Sequence, residues 1–229
     1  CNVQSGALWH RLGALPISAT EHQFVLPFRL GPVAADAVVR RLGQTVASVA
    51  QIGGAVANPF WPRPRPGGLR IVPCHDWDRL AAIAERYRVR ERITADRSAA
   101  FLRWRYEAPP NGPVHVFAFE SAADEGWLSV RTHFTGQRRQ LRTTSLLDYV
   151  GPDDTYVMYR AIAAVMAECR ADCDLFLVRG RDRYLPALSR MRVVRRQLGG
   201  PTAYVYQPKH AQPLKAAQFD FASADGDAG

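Results

Sequence analysis

Apolar residues along this chain switch between a helical period and a strand period, and each switch marks out an element. Leu8, Trp9 and Leu12 share one face of a 3.6-residue period, so the spacing predicts a helix over 2–13 that stops at Gly13. QFVLPFRL (23–30) alternates and predicts a strand, with Pro27 placing it at an edge or a bulge. Val38, Leu42, Val46 and Val49 predict one helix over 33–52. NPFWPRPRPGG (58–68) holds four Pro and two Gly in eleven residues. That composition predicts a stiff extended linker, and it is the clearest domain boundary in the chain.

A second unit follows. LRIVP (69–73) is a short strand. Asp76 suits the N-cap of a helix whose apolar face is Leu80, Ile83, Ala84 and Tyr87. TADRSAAFLRWRY (94–106) predicts a helix capped by Thr94 or Asp96 and ended by Pro109 and Pro110. VHVFAFE (114–120), WLSVRTHF (127–134) and 138–150 read as three strands joined by tight turns. Residues 153–170 predict a helix with Asp153, Asp154 and Thr155 at its N-terminus, where the helix dipole favours anions. Its buried stripe is Met158, Ile162, Val165, Met166 and Cys169. DLFLVRG (174–180) is continuously apolar, as in a strand buried in parallel pairing. A short helix over 183–191 comes next, then a closing hairpin of 193–198 and 202–208 around Gly199 and Gly200. The polar segment 211–229 predicts a disordered tail. From residue 69 the order is β-α-α-β-β-β-α-β-α-β-β, an α/β fold with a mixed central sheet and helices on both faces.

Composition narrows the partners. The 229 residues carry a formal charge of +9, and the basic residues are Arg apart from Lys209 and Lys215. Residues 63–106 hold eleven Arg against five acids, and 179–196 hold seven against Asp182 alone. Such faces suit plain solvation, a phosphate-bearing small ligand or, last of the three, nucleic acid. No apolar run approaches the roughly 18 residues of a membrane span. Cys1, Cys74, Cys169 and Cys173 lack zinc-ribbon spacing and read as reduced thiols in a cytoplasmic protein. His115 and His133 fall on different strands with no third ligand in the pattern, so no metal is expected.

The element order over 69–208 resembles the GNAT acyltransferase superfamily. The first residues resemble the GNAT pattern N-x-x-(A/S)-x-x-L-(Y/W)-x-x-(L/F)-G, here Asn2, Ser5, Leu8, Trp9, Leu12 and Gly13. Asp96, Phe101, Leu102, Trp104, Arg105, Tyr106 and Pro109 resemble the D-x-x-(F/Y)-L-x-W-R-Y segment of GNAT-like proteins, with Asp96 five residues before Phe101 where the pattern has three. The resemblance implies four parts. They are the C-terminal remnant of a first GNAT-like domain (1–30), a helix and Pro-rich linker (31–68), a GNAT-like domain (69–208) and a tail (209–229). The N-terminal domain to which the remnant belongs would be a partner in the same chain.

The resemblance further implies transfer of an acyl group from acetyl-CoA or another acyl-CoA to a small-molecule or sugar-linked amine, with the second domain active or degenerate. The alternatives are a non-catalytic GNAT-like binding or scaffold module and a Fem-type aminoacyl transferase. Asn2, Ser5, Val150 and Gly151 would face the cofactor. The usual pyrophosphate loop, (Q/R)-x-x-G-x-(G/A), is replaced by DYVGPDDTYV (148–157), where one Gly, Gly151, remains. Asp148, Asp153 and Asp154 would repel a pyrophosphate there, and Asp153 and Asp154 read as helix caps. The proton donor of the family is commonly a Tyr; Ala187 stands at that position, and nearby Tyr184 is the candidate replacement. Arg103 and Arg105 are candidates for binding an anionic or sugar-like acceptor.

Overall fold

A mixed seven-stranded sheet organises the chain. The computed structural model describes residues 8, 11–12, 14–16, 22–42, 44–61, 63–90, 93–107, 109, 112–121, 124–136, 140–179, 184–191, 193–197, 204–205 and 219–220. The strands are β1 (Leu15–Pro16), β2 (His22–Pro27), β3 (Arg70–Pro73), β4 (Ile93–Thr94), β5 (Val114–Glu120), β6 (Glu125–Thr135), β7 (Leu141–Val150), β8 (Leu175–Arg179), β9 (Val194–Gln197), β10 (Tyr204–Val205) and β11 (Phe219–Asp220). The helices are α1 (Leu30–Leu42), α2 (Gln44–Ala57), α3 (Trp77–Arg86), α4 (Ala99–Glu107), α5 (Thr155–Cys169) and α6 (Leu185–Ser189). The main sheet runs β3-β5-β6-β7-β8-β2-β9, antiparallel throughout except for the parallel pair β7–β8. A parallel pair needs a crossover, and α5 provides it.

Both faces of the sheet are covered. Phe117, Phe119, Val130, Leu146, Phe176 and Val178 pack against Met158, Ile162, Val165 and Met166 of α5 and Leu188 of α6. On the other face, Val116, Ala118, Trp127 and Leu147 meet Leu80 and Ile83 of α3 and Leu102 and Tyr106 of α4. Farther along this face, Leu141, Leu175, Leu177 and Val25 meet Val33 of α1. The expected α/β class, mixed sheet and helices on both faces are therefore present.

The strand 22–27 sits inside this sheet, between β8 and β9. Its alternation explains the place: Phe24 and Leu26 face α5, and Val25 faces α1. A strand apolar on both faces belongs between neighbours. Pro27 is tolerated because the β9 ladder covers only His22–Val25, while β8 alone pairs with Pro27. Among the described residues the expected hairpin of 193–198 with 202–208 does not form. β9 pairs with β2, and Tyr204–Val205 pairs with Leu15–Pro16 in a separate two-stranded sheet. The Arg-rich VRRQ of β9 suits the solvated edge it occupies, which the apolar β2 would not.

Two of the predicted helices differ from expectation. The single helix over 33–52 is two helices, packed closely enough that a Cβ on Gly54 would lie 2.6 Å from the Leu30 carbonyl oxygen. Asn58 Oδ1 accepts a hydrogen bond from the Leu30 N–H at 3.1 Å and ties the ends of the pair together. The segment 94–106 begins as β4, which pairs in parallel with Phe219–Asp220, and turns helical only at Ala99. The cap there is Ser98, whose Oγ accepts from the Phe101 N–H at 3.3 Å. In α4, Leu102 and Tyr106 are buried, but Trp104 is 68% exposed and does not anchor the helix. By contrast, Asp76 caps α3 as expected, accepting from the Arg79 N–H at 3.0 Å. The Pro-rich segment lies along α5, where Arg160 donates to the Gly67 carbonyl at 2.9 Å.

Gly126 of β6 opposes Phe119, and a Cβ there would overlap the Phe119 ring and the Val150 carbonyl oxygen. Gly126→Ala should therefore destabilise the protein by about 1–3 kcal/mol, the usual range for overpacking a filled core. Urea unfolding reads this directly, and an unchanged midpoint would contradict the close approach.

Candidate functional site

The site begins with a defect in the sheet. Val130 of β6 opposes Leu146, but Ser129 opposes Asp148, so Leu147 is an extra residue and β7 is bulged. A bulge bends its strand and increases the local twist. On its other side, β7 pairs with β8 only from Thr143–Leu175 to Leu146–Val178. The ladder ends where the bulge begins, although β7 continues to Val150. A cavity of about 530 Å³ opens along this split, lined by the end of β7, α3, the 94–98 loop and Tyr184.

Among the charged residues that line this cavity, Asp148 is buried, at 3% exposed. Its Oδ2 lies 2.8 Å from Nε of Arg97, on the loop before α4. Its Oδ1 accepts from the Tyr149 N–H at 3.0 Å. The Tyr149 hydroxyl donates to the Pro152 carbonyl at 2.9 Å, fixing the turn that leads to α5. The loop is braced by Asp96, whose two carboxylate oxygens accept from the Ser98 N–H and Ser98 Oγ at 2.8 Å each. The Ser98 N–H bond is the main reason that the Asp96 carboxyl is held below the usual carboxylate range.

Val150, Gly151 and Tyr184, three of the residues singled out in the sequence, all line this cavity. Tyr184 is buried, and the region beside it forms α6. Arg103 is exposed on α4, and neither Arg103 nor Arg105 lines the cavity. Arg105 is half-buried, and its charge acts on Arg131 of β6 instead. Asn2 and Ser5 lie outside the described residues. Sequence reading missed Arg97: the string DRS looked like a helix cap, and nothing local ties residue 97 to a strand some fifty residues away.

The start of α5, next to Gly151, is closed by its own cap. Asp154 Oδ1 accepts from the N–H groups of Tyr156 and Val157 at 2.8 and 2.9 Å. Those donors are the ones a helix N-terminus offers to an anion. A carboxylate already occupies the place of a pyrophosphate, so this end of α5 does not fit the diphosphate of an acyl-CoA.

The sulfur chemistry is quiet. Cys74, Cys169 and Cys173 are free thiols. Burial pushes Cys169 up to about 12 and Cys173 up to about 11, so both stay protonated and are poor nucleophiles. Among the described residues no cluster of three or more His, Cys, Asp or Glu is arranged to hold a metal ion. Among them, too, no helix is long and apolar enough to cross a membrane.

No family model matches the sequence, and no curated protein does. Among solved structures, the chain is similar to Eis1 from Mycobacterium abscessus. The two share 15% identity with a TM-score of 0.44, over 84% of this chain and 43% of Eis1. The chain thus spans less than half the length of that structure.

Proposed function

We propose that this protein is a GNAT-like acyltransferase acting on an amine, and that the cavity at the split between β7 and β8 is its transfer cleft. The observation that carries the reading is the split itself. A bulged strand leaves its neighbour, and its residues 148–150 with Gly151 line a cavity that a buried phenol, Tyr184, also lines. Backbone polar groups along such an edge are suited to holding an extended acyl donor and polarising its carbonyl. In this reading the Tyr184 hydroxyl returns a proton to the leaving group. The acceptor is a small-molecule or sugar-linked amine, and the protein works in the cytoplasm.

The capped start of α5 favours a second reading for the donor. A Fem-type transferase takes its acyl group from aminoacyl-tRNA and does not need a diphosphate seat at that helix. The test compares the two donors. Acetyl-CoA and charged tRNA are each offered with a panel of amines, and acyl transfer is followed. One donor should support transfer, and Tyr184→Phe, which keeps the buried ring, should lower kcat by about 10²–10⁴ with KM little changed. Ala95→Trp, which fills the cavity from the 94–98 loop, should abolish donor binding. If neither donor binds, the acyltransferase reading is wrong and the non-catalytic binding module replaces it.

A further inference from the structure

The Pro-rich segment forms one wall of a second cavity, of about 130 Å³, whose other walls are the end of β2 and the C-terminal end of α5. The segment is strapped to α5 just beyond the cavity. The Arg65 N–H donates to the Tyr159 hydroxyl at 3.4 Å, and Arg160 donates to the Gly67 carbonyl at 2.9 Å. Proline fixes φ, so this wall is stiff before any ligand arrives. The apolar lining includes Leu26, Phe28, Pro64 and Met166. Leu26, Phe28 and Met166 also belong to the packed core under the sheet. An engineered apolar cavity of about 150 Å³ holds one benzene molecule, so a group of nearly that size fits here.

The polar side chains of the lining offer only donors. Asn58 Oδ1 already accepts from the Leu30 N–H, which leaves its amide nitrogen to donate. Trp61 Nε1 is shut off from water and has no acceptor among the described residues. Arg63 is exposed and Arg170 half-buried, and both line the cavity. Among the described residues no acid lines it. The acids that follow Arg170 face elsewhere: Asp172 lies 3.8 Å from Arg142, and Asp174 lies 3.6 Å from Arg29. Burial and then the charge of Arg63 lower the Arg170 guanidinium, so the two cations act on each other. Two arginines and a dry indole N–H beside an apolar space suit a ligand with an apolar body and an anionic end. A carboxylate matches the guanidinium fork in its own plane. Free phosphate is too strongly hydrated to gain from the apolar walls.

We propose that this cavity binds a small carboxylic acid, with a benzene-sized apolar body against Phe28 and Met166 and its carboxylate at Arg63 and Arg170. The site shares no lining residue with the cleft that contains Tyr184, and it stands or falls independently of acyl transfer.

The experiment uses the full chain with benzoate as the probe, by isothermal titration at constant ionic strength. Benzoate should bind saturably. Benzamide keeps the ring without the charge, and acetate keeps the charge without the ring; each should bind at least tenfold more weakly. These comparisons need no substitution, so misfolding cannot mimic them. Arg63→Gln and Arg170→Gln together should weaken benzoate at least tenfold. Arg90→Gln, at an exposed position after α3 on the opposite face of the sheet, should leave it unchanged. The Trp61 indole N–H signal, identified by its loss in Trp61→Phe, should shift in the NMR spectrum as benzoate is added. If benzoate fails to bind, or benzamide binds as well, no carboxylate is recognised and the proposal fails. Acetate or inorganic phosphate binding as tightly as benzoate would reduce the site to a basic surface and overturn it too. A Trp61 signal unmoved by saturating benzoate, or an equal loss from Arg90→Gln, would place the binding elsewhere, against the proposal.

Discussion

Replacing Arg97 with methionine should cost about 3–5 kcal/mol of stability, the range for removing one partner of a buried ion pair. The side chains of Arg97 and Asp148 are only 14% and 3% exposed, and they meet at 2.8 Å. Removing the guanidinium leaves a carboxylate in a place that water hardly reaches, next to the cavity wall. The loss is mainly the desolvation of Asp148, not the attraction of the pair. The double change Arg97→Met with Asp148→Leu should therefore recover most of the loss, because no charge is left stranded. Exposed pairs provide the contrast. Arg86 meets Glu125 at the surface, with Arg86 60% exposed, and Arg86→Met should shift stability by no more than about 1 kcal/mol. Urea denaturation of the three variants decides the matter. A loss at Arg97 no larger than that at Arg86 would show that Asp148 is well solvated.

Phe24→Ala should be similarly damaging, at about 3–5 kcal/mol, because it removes a buried ring from a filled core. Phe24 is 3% exposed and packs with the residues that join the sheet to α5. The measurement also bears on chain organisation. If 1–30 belonged energetically to a separate body, the unfolding of the sheet would not respond to Phe24. The expected outcome is a single transition whose midpoint falls. Val194, on the neighbouring β9 and 52% exposed, serves as the control, and Val194→Ala should change stability by less than about 0.5 kcal/mol. Equal effects at the two positions would mean that β2 does not complete the sheet.

Much of the fold was legible because it is written locally. Asp76 and Asp154 cap helices where their positions predicted, since a cap bonds N–H groups two or three residues away. The α5 stripe of Met158, Ile162, Val165 and Met166 is buried because a 3.6-residue period and a sheet below it leave no other choice. β5, apolar at successive positions, is buried on both faces. The misread places are those where distant segments compete. QFVLPF reads as a strand, but no local feature says that it displaces 202–208 beside β9. TADRS reads as a helix start until β11 pairs with Ile93–Thr94.

The candidate sites divide in the same way. The sequence by itself determined the α/β class, the helix caps at Asp76 and Asp154 and the single glycine at Gly151, because period and capping act within a few residues. Only the tertiary structure decided that Val150, Gly151 and Tyr184 share a cavity, that Arg97 pairs with Asp148, and that Gln23 stands in one cross-strand row with Arg179 and Arg196. Those relations depend on a bulge at Leu147 and on the register of strands far apart in the chain. Register sets which side chains share a face, and a one-residue shift would turn every one of them to the opposite side of the sheet.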